Sequence, residues 1–276
     1  MLAIVAIAVV SSGCGGGSAL ALDPVAAAAT KTQQAGAAHI RFVLQLSGPR
    51  LNGGKVVRIQ GTGAVDGTSA ELTTNMGSIL QQAGLDAGTN ASTREIVLEQ
   101  NGDYVLYIQP GALASQLPTG KHWIELNVSK LGKAAGIDLG QLMSGSQISP
   151  ADLLSMLKAE GAKIHKLGPT TVGGTAATHY RVTVDLAKAL QAQGLTNPML
   201  DLMAAKAPTV PVDVWIGHDG LVHRLHVSYG AEQSRMGLTM DMYDYGAHVT
   251  IAAPPSSDVY DATQLAQQGM SGTAHW

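Results

Sequence analysis

The side chain with the most distinctive chemistry in this sequence is Cys14, the sole cysteine among 276 residues, set in the stretch VVSSGCGGGS. A lone thiol cannot close a disulfide within the chain, so no disulfide framework holds the fold. With Ser12, Gly13 and Gly15 around it, the thiol suits an enzyme whose narrow cleft admits only small neighbours. The other candidates for chemistry are weaker. His223 and His226 look like a metal pair, but positions three apart on a strand point to opposite sides, so the two imidazoles do not easily share an ion. The rest of the nine histidines are scattered. Gly61, Thr62, Gly63 and Gly67 look like a glycine-rich loop, yet they fall inside a strand pattern with no helix behind them to hold a phosphate. Bulges and a close approach of backbones account for them better. No G-x-S-x-G elbow, P-loop pattern or motif-placed carboxylate pair occurs, so the expectation is no enzyme, no cofactor and no metal.

The surroundings of Cys14 carry the stronger signal. Met1 to Val10 is uninterrupted apolar sequence. Ten residues span about 15 Å as a helix, half of a bilayer's hydrocarbon core, which is too short for a transmembrane anchor and right for the apolar region of a secretory signal. Small residues directly before the cysteine complete a segment that resembles a bacterial lipobox, in which the cysteine is diacylated on sulfur and becomes the first mature residue. Residues 1–13 then read as a lipoprotein signal peptide, 14–23 as the lipidated cysteine with a flexible Gly-rich tether, and 24–276 as a single domain. Two or three acyl chains make a durable attachment, whereas one does not. The expected location is the outer face of the cell membrane.

Charge excludes one class of partner. Seventeen basic against 20 acidic residues give a net charge of -3, with no basic footprint for nucleic acid. Charged residues make up only 13% of the chain, and phenylalanine occurs once, at Phe42.

The body alternates with period two. Asp23-Pro24 opens a helix that runs through VAAAATKTQQ to Gly36. In HIRFVLQLSG, Ile40, Phe42, Leu44 and Leu46 share one face. KVVRIQGTGAVDG ends in a hairpin-type Asp66-Gly67, REIVLEQ and DYVLYIQ are joined by Asn101-Gly102, and KHWIELNVS is a further strand. SILQQAG is mixed. PADLLSMLKAE has cap, dipole and stop signals for a helix, and LAKALQAQ and PMLDLMAAK read as two shorter ones. AKIHKLGPTTVGG, ATHYRVTVD, VPVDVWIG, LVHRLHVSYG, RMGLTMDMYDYG and AHVTIAAPP complete the strands, and TQLAQQGMSGTAHW is a terminal helix with a frayed end. The total is about eleven strands and four or five helices, without an internal repeat.

Alternation also selects an apolar face. Val210, Val212, Val214 and Ile216 alternate with Pro211, Asp213 and Trp215; Leu225, Val227 and Tyr229 repeat the pattern; Met236, Leu238, Met240 and Met242 put three methionines and a leucine on one face of one strand. Methionine is flexible and polarizable, so such a stripe suits either a core or a changeable apolar contact.

The order of Gly120-Lys-His-Trp123, Thr171-Val-Gly-Gly174, Thr178-His-Tyr-Arg181, Val210 to Ile216 with Asp219-Gly220, Asp241 to Gly246, and Val249 to Pro255 with Ser257-Asp258-Val259 resembles the actinobacterial LppX/LprG-type lipoproteins, which are similar in turn to the lipoprotein carrier LolA. The resemblance covers roughly residues 24 to 262. It implies an α+β fold in which a curved antiparallel sheet forms an unclosed half-barrel, helices cover its concave face, and an apolar cavity between them holds acyl chains of a lipid or glycolipid. The implied function is lipid binding and transport across the cell envelope. A sensor or partner-binding module of the same fold, engaging an envelope protein, remains the alternative. On the alternation above, the expected cavity residues are Ile40, Phe42, Leu44, Val212, Val214, Ile216, Leu225, Val227, Leu238 and Met240, with no buried charge. A sixteen-carbon chain such as palmitate gains on the order of 12 kcal/mol gross at about 0.8 kcal/mol per methylene, enough to compete with a membrane only if the site is dry.

The anchor is open to a direct check: a Cys14→Ala variant should leave the membrane fraction on cell fractionation, and its retention there would refute tethering through that sulfur.

Overall fold

The computed structural model describes residues 24–49, 56–82, 91–134, 163–192, 204–205, 208–231 and 234–270. Within them the period-two segments form twelve strands of one sheet: β1 Ala38–Ser47, β2 Val57–Asp66, β3 Ser69–Asn75, β4 Ser92–Gln100, β5 Asp103–Gln109, β6 Trp123–Asn127, β7 Lys163–Val172, β8 Thr175–Asp185, β9 Thr209–Gly217, β10 Val222–Ala231, β11 Ser234–Tyr243 and β12 Val259–Asp261. The α-helices whose bounds lie among these residues are α1 Pro24–Gln34, α2 Gly77–Gln82, α3 Val128–Ala134, α4 Leu186–Ala192 and α5 Thr263–Met270, and Gly111–Gln116 and Ser256–Asp258 form short 3-10 helices. The expected helix over 150–160 and most of the one over 198–206 lie outside the described residues, as do residues 1–23.

Two antiparallel meanders, β2 to β6 and β7 to β11, flank β1, which pairs antiparallel with both β2 and β11. β12 adds in parallel beside β6. The sheet runs from β12 at one edge to β7 at the other and does not close, so its architecture is the open, mostly antiparallel α+β one expected from sequence. Hairpin chemistry sets the local registers. Asn101 and Gly102 both take positive φ, 54° and 80°, so the β4–β5 turn has the twist that matches its strands. At the β7 edge, Lys163, Lys166, a register shift between Lys166 and Gly168, and Pro169 discourage pairing with another chain.

Two expectations change. Residues 247–255, expected as a strand, cross the sheet without pairing: Pro254 and Pro255 have no N–H to give a ladder, and Ile251 packs its side chain onto a core instead. The short β12 follows and brings the sheet to twelve strands, in keeping with the expected number of about eleven. The mixed SILQQAG begins as α2, tied at its start by Asn75 Oδ1, which accepts from Gly77 N–H at 2.9 Å.

The main core lies between α1 and the sheet. Val25, Ala28 and Ala29 of α1 pack on Val182, Val184, Val210, Val212, Val214, Ile216, Val222, Leu225, Met240, Met242 and Ile40. Alanine at two of those helix positions lets the backbone approach the strands closely. A bulge near Val222 interrupts β10, where the register with β9 shifts between Val222 and Arg224. The irregularity is met from outside the sheet: Val222 N–H donates to Thr32 Oγ1 at 2.9 Å and Val222 C=O accepts from Tyr245 Oη. Lys31 Nζ of α1 reaches the nearby Asp219 carbonyl. Polar groups at the bulge therefore bind α1 to its place. A second core, Ile96, Leu98, Val105, Tyr107 and Trp123 with Ile251 and Val259 against it, lies on the other face of the sheet near β4 to β6.

Thr32→Val keeps the side-chain shape and strands a buried Val222 N–H, so it should cost about 1–3 kcal/mol, read as a lower urea midpoint at unchanged slope.

Candidate functional site

Antiparallel partners share a sheet face, so the registers show which side chains come together. Val214, Leu225, Met240 and Phe42 form one lateral row across β9, β10, β11 and β1. Val212, Val227, Leu238 and Leu44 form the next. Ile216 pairs with Val222, and Met242 with Ile40. The ten residues expected from alternation thus stand on one face, the one that carries α1. Their environments differ. Ile40, Val212, Val214, Ile216, Leu225 and Met240 are buried in the cluster with α1. Leu238 is buried as well, while Phe42, Leu44 and Val227 are only partly so.

The same face continues past β1. Phe42 pairs with Gly61, and a Cβ there would lie 2.6 Å from the Phe42 ring and 2.5 Å from the Thr73 carbonyl oxygen. Gly61 is therefore a place where a strand gives its side-chain volume to an aromatic ring, not part of a phosphate loop. Beyond it the face is built by Leu44 and Ile59, then Leu72, Ile108 and Ile124, and Val97, Leu106 and Leu126. Leu72, Leu106, Ile108, Ile124 and Leu126 are all partly exposed. On the same strands the opposite-facing Val105, Tyr107 and Trp123 are buried. Sequence reasoning missed the β3 to β6 part of this face. Its signal was the loss of alternation: DYVLYIQ and WIELN carry large apolar groups at consecutive positions, the mark of strands apolar on both faces.

One residue departs from the expectation of an uncharged wall. Glu95 pairs with Leu72 on β3 and Ile108 on β5, so it stands on the α1 face. Burial raises its pKa above the ordinary glutamate value.

The opposite face of β8 to β11 is polar. Arg181 clasps Asp213 with Nε–Oδ1 2.9 Å and NH2–Oδ2 3.0 Å, and His179 Nε2 lies 3.1 Å from the same Oδ1. The His179 ring stacks on Trp215 at 4.2 Å between centroids, and Arg224 lies over Trp215 at 5.9 Å while pairing with Asp241. Burial pushes the Asp213 carboxyl up, but the hydrogen bonds from Arg181 and His179 outweigh it and hold the group below the usual aspartate value. Tyr245 is raised by its burial and by the Asp219 charge, which keeps it a neutral donor at the bulge. His223 and His226 go to separate partners, Asp219 Oδ2 at 2.9 Å and Thr239 Oγ1 at 2.9 Å. Among the described residues no three His, Cys, Asp or Glu side chains are grouped to hold a metal ion. A cleft of about 450 Å³ on this opposite face is lined by His39, Thr62, Glu71, Thr73, Tyr243 and His248, a polar set unsuited to hydrocarbon. Cys14 lies outside the described residues.

No family model matches the chain. It is 29% identical over 233 residues, 78% of its own length and 73% of the relative's, to an uncharacterized 31.2 kDa protein of Streptomyces griseus from the rplA-rplJ intergenic region. Among solved structures it is similar to the lipoprotein LppX of Mycobacterium tuberculosis, at TM-score 0.44 and 15% identity, covering 83% of this chain and 100% of that one. It is also similar to LprF of Mycobacterium bovis, at TM-score 0.40 and 13% identity, covering 84% and 96% respectively.

The Asp213 cluster carries a pH signature. Because its native pKa is depressed, its stabilisation is complete above about pH 4 and is lost as the pH falls through the lower native value. Asp213→Asn should lower the urea midpoint at pH 7 and flatten the fall in stability between about pH 4 and pH 2. An unchanged acid limb would show that Asp213 does not contribute to it.

Proposed function

We propose that this protein is a lipid-anchored extracytoplasmic lipoprotein that binds the acyl chains of a lipid or glycolipid against the α1 face of its open sheet, and serves in moving that lipid through the cell envelope. Residues 1–13 act as the signal peptide, and Cys14 with residues up to 23 tethers the domain that begins at Pro24.

One observation carries the binding part. The α1 face from β1 to β6 presents Phe42, Leu44, Leu72, Leu106, Ile108, Ile124 and Leu126 contiguously and incompletely buried. A soluble sheet normally turns such side chains into a core or replaces them with polar ones, and a larger apolar patch marks a surface that meets another apolar body. The row structure supports an elongated occupant: side chains on adjacent strands stand about 4.5–5.5 Å apart, so consecutive rows make parallel apolar tracks of the kind an extended hydrocarbon follows. The buried half, from β8 to β11, is held by α1, which leaves the β1 to β6 half as the surface that takes the ligand. Hydrolytic or transfer chemistry has no comparable support: Glu95, the partly buried carboxyl of the α1 face, has neither a base nor a nucleophile paired to it among the described residues.

The full protein purified from the membrane with its lipids retained should release near-stoichiometric acyl lipid into organic solvent, identified by mass spectrometry. The double variant Leu106→Glu, Ile124→Glu should lose more than about tenfold of that lipid while keeping the strand signal in circular dichroism, because two charges cannot be desolvated against hydrocarbon. Lipid-free wild-type protein would count against the proposal.

A further inference from the structure

Glu95 is the anomaly of the apolar face. Its strand neighbours on that face are Thr93 and Val97, its lateral partners are Leu72 and Ile108, and the next positions on β3 and β5 are Ala70, Thr74 and Leu106. None of these is charged. Its carboxyl makes no hydrogen bond or ion pair among the described residues, whereas the other two β4 charges are satisfied: Arg94 on the opposite face by Glu71 at 2.7 Å and by the Trp123 ring, and the exposed Glu99 by Thr68 Oγ1, which donates to it at 3.3 Å. A partly desolvated carboxyl with no partner is costly, and a sequence that had only to pack a sheet would place leucine or threonine there. Burial raises its pKa with no neighbouring charge to oppose the effect, which agrees with an unpartnered group.

On the reading that the α1 face binds acyl chains, we propose that Glu95 selects the ligand by its polar part: a neutral acyl lipid bearing a hydroxyl, such as a glycolipid or partial glyceride, with that hydroxyl hydrogen-bonded to the Glu95 carboxyl. The carboxyl accepts a hydrogen bond from a hydroxyl in either protonation state and, when ionised, repels a phosphate. Anionic lipids are therefore bound less well at this position. Its place between Leu72 and Ile108 puts the polar contact within the apolar field, so the chains extend along the rows on both sides of it.

The test uses the full chain carrying Cys14→Ser, so that it brings no acyl group of its own, and a pyrene-labelled diacylglycerol displaced by three unlabelled competitors: a dipalmitoyl galactolipid, dipalmitoyl phosphatidate and methyl palmitate. Wild type should prefer the galactolipid over phosphatidate by about tenfold or more, the worth of one hydrogen bond to an ionisable group. Glu95→Gln should keep galactolipid affinity within about threefold and admit phosphatidate, while Glu95→Leu should lose the preference and leave methyl palmitate unchanged. If the label and all three competitors fail to bind the wild type, the acyl-binding reading itself falls. If they bind and the galactolipid-to-phosphatidate ratio is the same in wild type and Glu95→Leu, the role assigned to Glu95 is overturned and acyl binding stands. A purely structural Glu95 would shift the unfolding midpoint of Glu95→Leu without moving that ratio.

Discussion

The register of β1 between β2 and β11 is the constraint on which the rest depends. β1 joins the two meanders, and its pairs with β11, Ile40 with Met242, Phe42 with Met240 and Leu44 with Leu238, carry the apolar rows of one meander into the other. A slip of one residue would turn that whole set to the opposite side and bring Arg41 and Gln45 onto the face where α1 packs. Gly61 helps to fix the register, because Phe42 fits only against a residue without a side chain. Burial of Ile40 and Met242 under α1 opposes any alternative, at about 1.5–3 kcal/mol for each large side chain.

Given that register, the sheet uses its two faces differently along its width. From β8 to β11 the α1 face is core and the opposite face is a polar belt of Arg181, Asp213, His179, Arg224 and Asp241 around Trp215. From β4 to β6 the opposite face is core, sealed by Ile251 and Val259, and the α1 face is partly open. The chain achieves the exchange with the unpaired crossing of residues 247–255, which leaves β11 and travels to the far edge to form β12. A partly open apolar face is thereby kept without exposing the strands on both sides, and the domain still buries a core on each face.

The α1 docking shows how local irregularity and long-range packing serve each other. The bulge near Val222 keeps both Val222 and Leu225 on the core side, and the backbone groups it disturbs are satisfied by Thr32 and Tyr245. Without α1 the bulge would leave polar groups buried and unpaired; without the bulge, α1 would lack its polar attachment.

Much of this was legible in the sequence, for a physical reason. Period-two alternation reports directly which residues share a face, so Ile40, Phe42 and Leu44 and their counterparts on β9, β10 and β11 were readable as one set, as were the Asn101-Gly102 turn and the Pro24 helix start. The lipobox expectation at Cys14 likewise rests on sequence alone, on the apolar run of residues 1–10 and the small residues beside the thiol. Alternation is silent about what lies across a face. Only the tertiary structure decided that α1 would bury Val212, Val214 and Ile216 while Leu106, Ile108 and Ile124 stayed partly open, because that turns on where a helix and a crossing segment come to rest. The position of Glu95 among Leu72 and Ile108 was likewise decided by strand registers set over many residues, and no local pattern in STREIVLEQ encodes it.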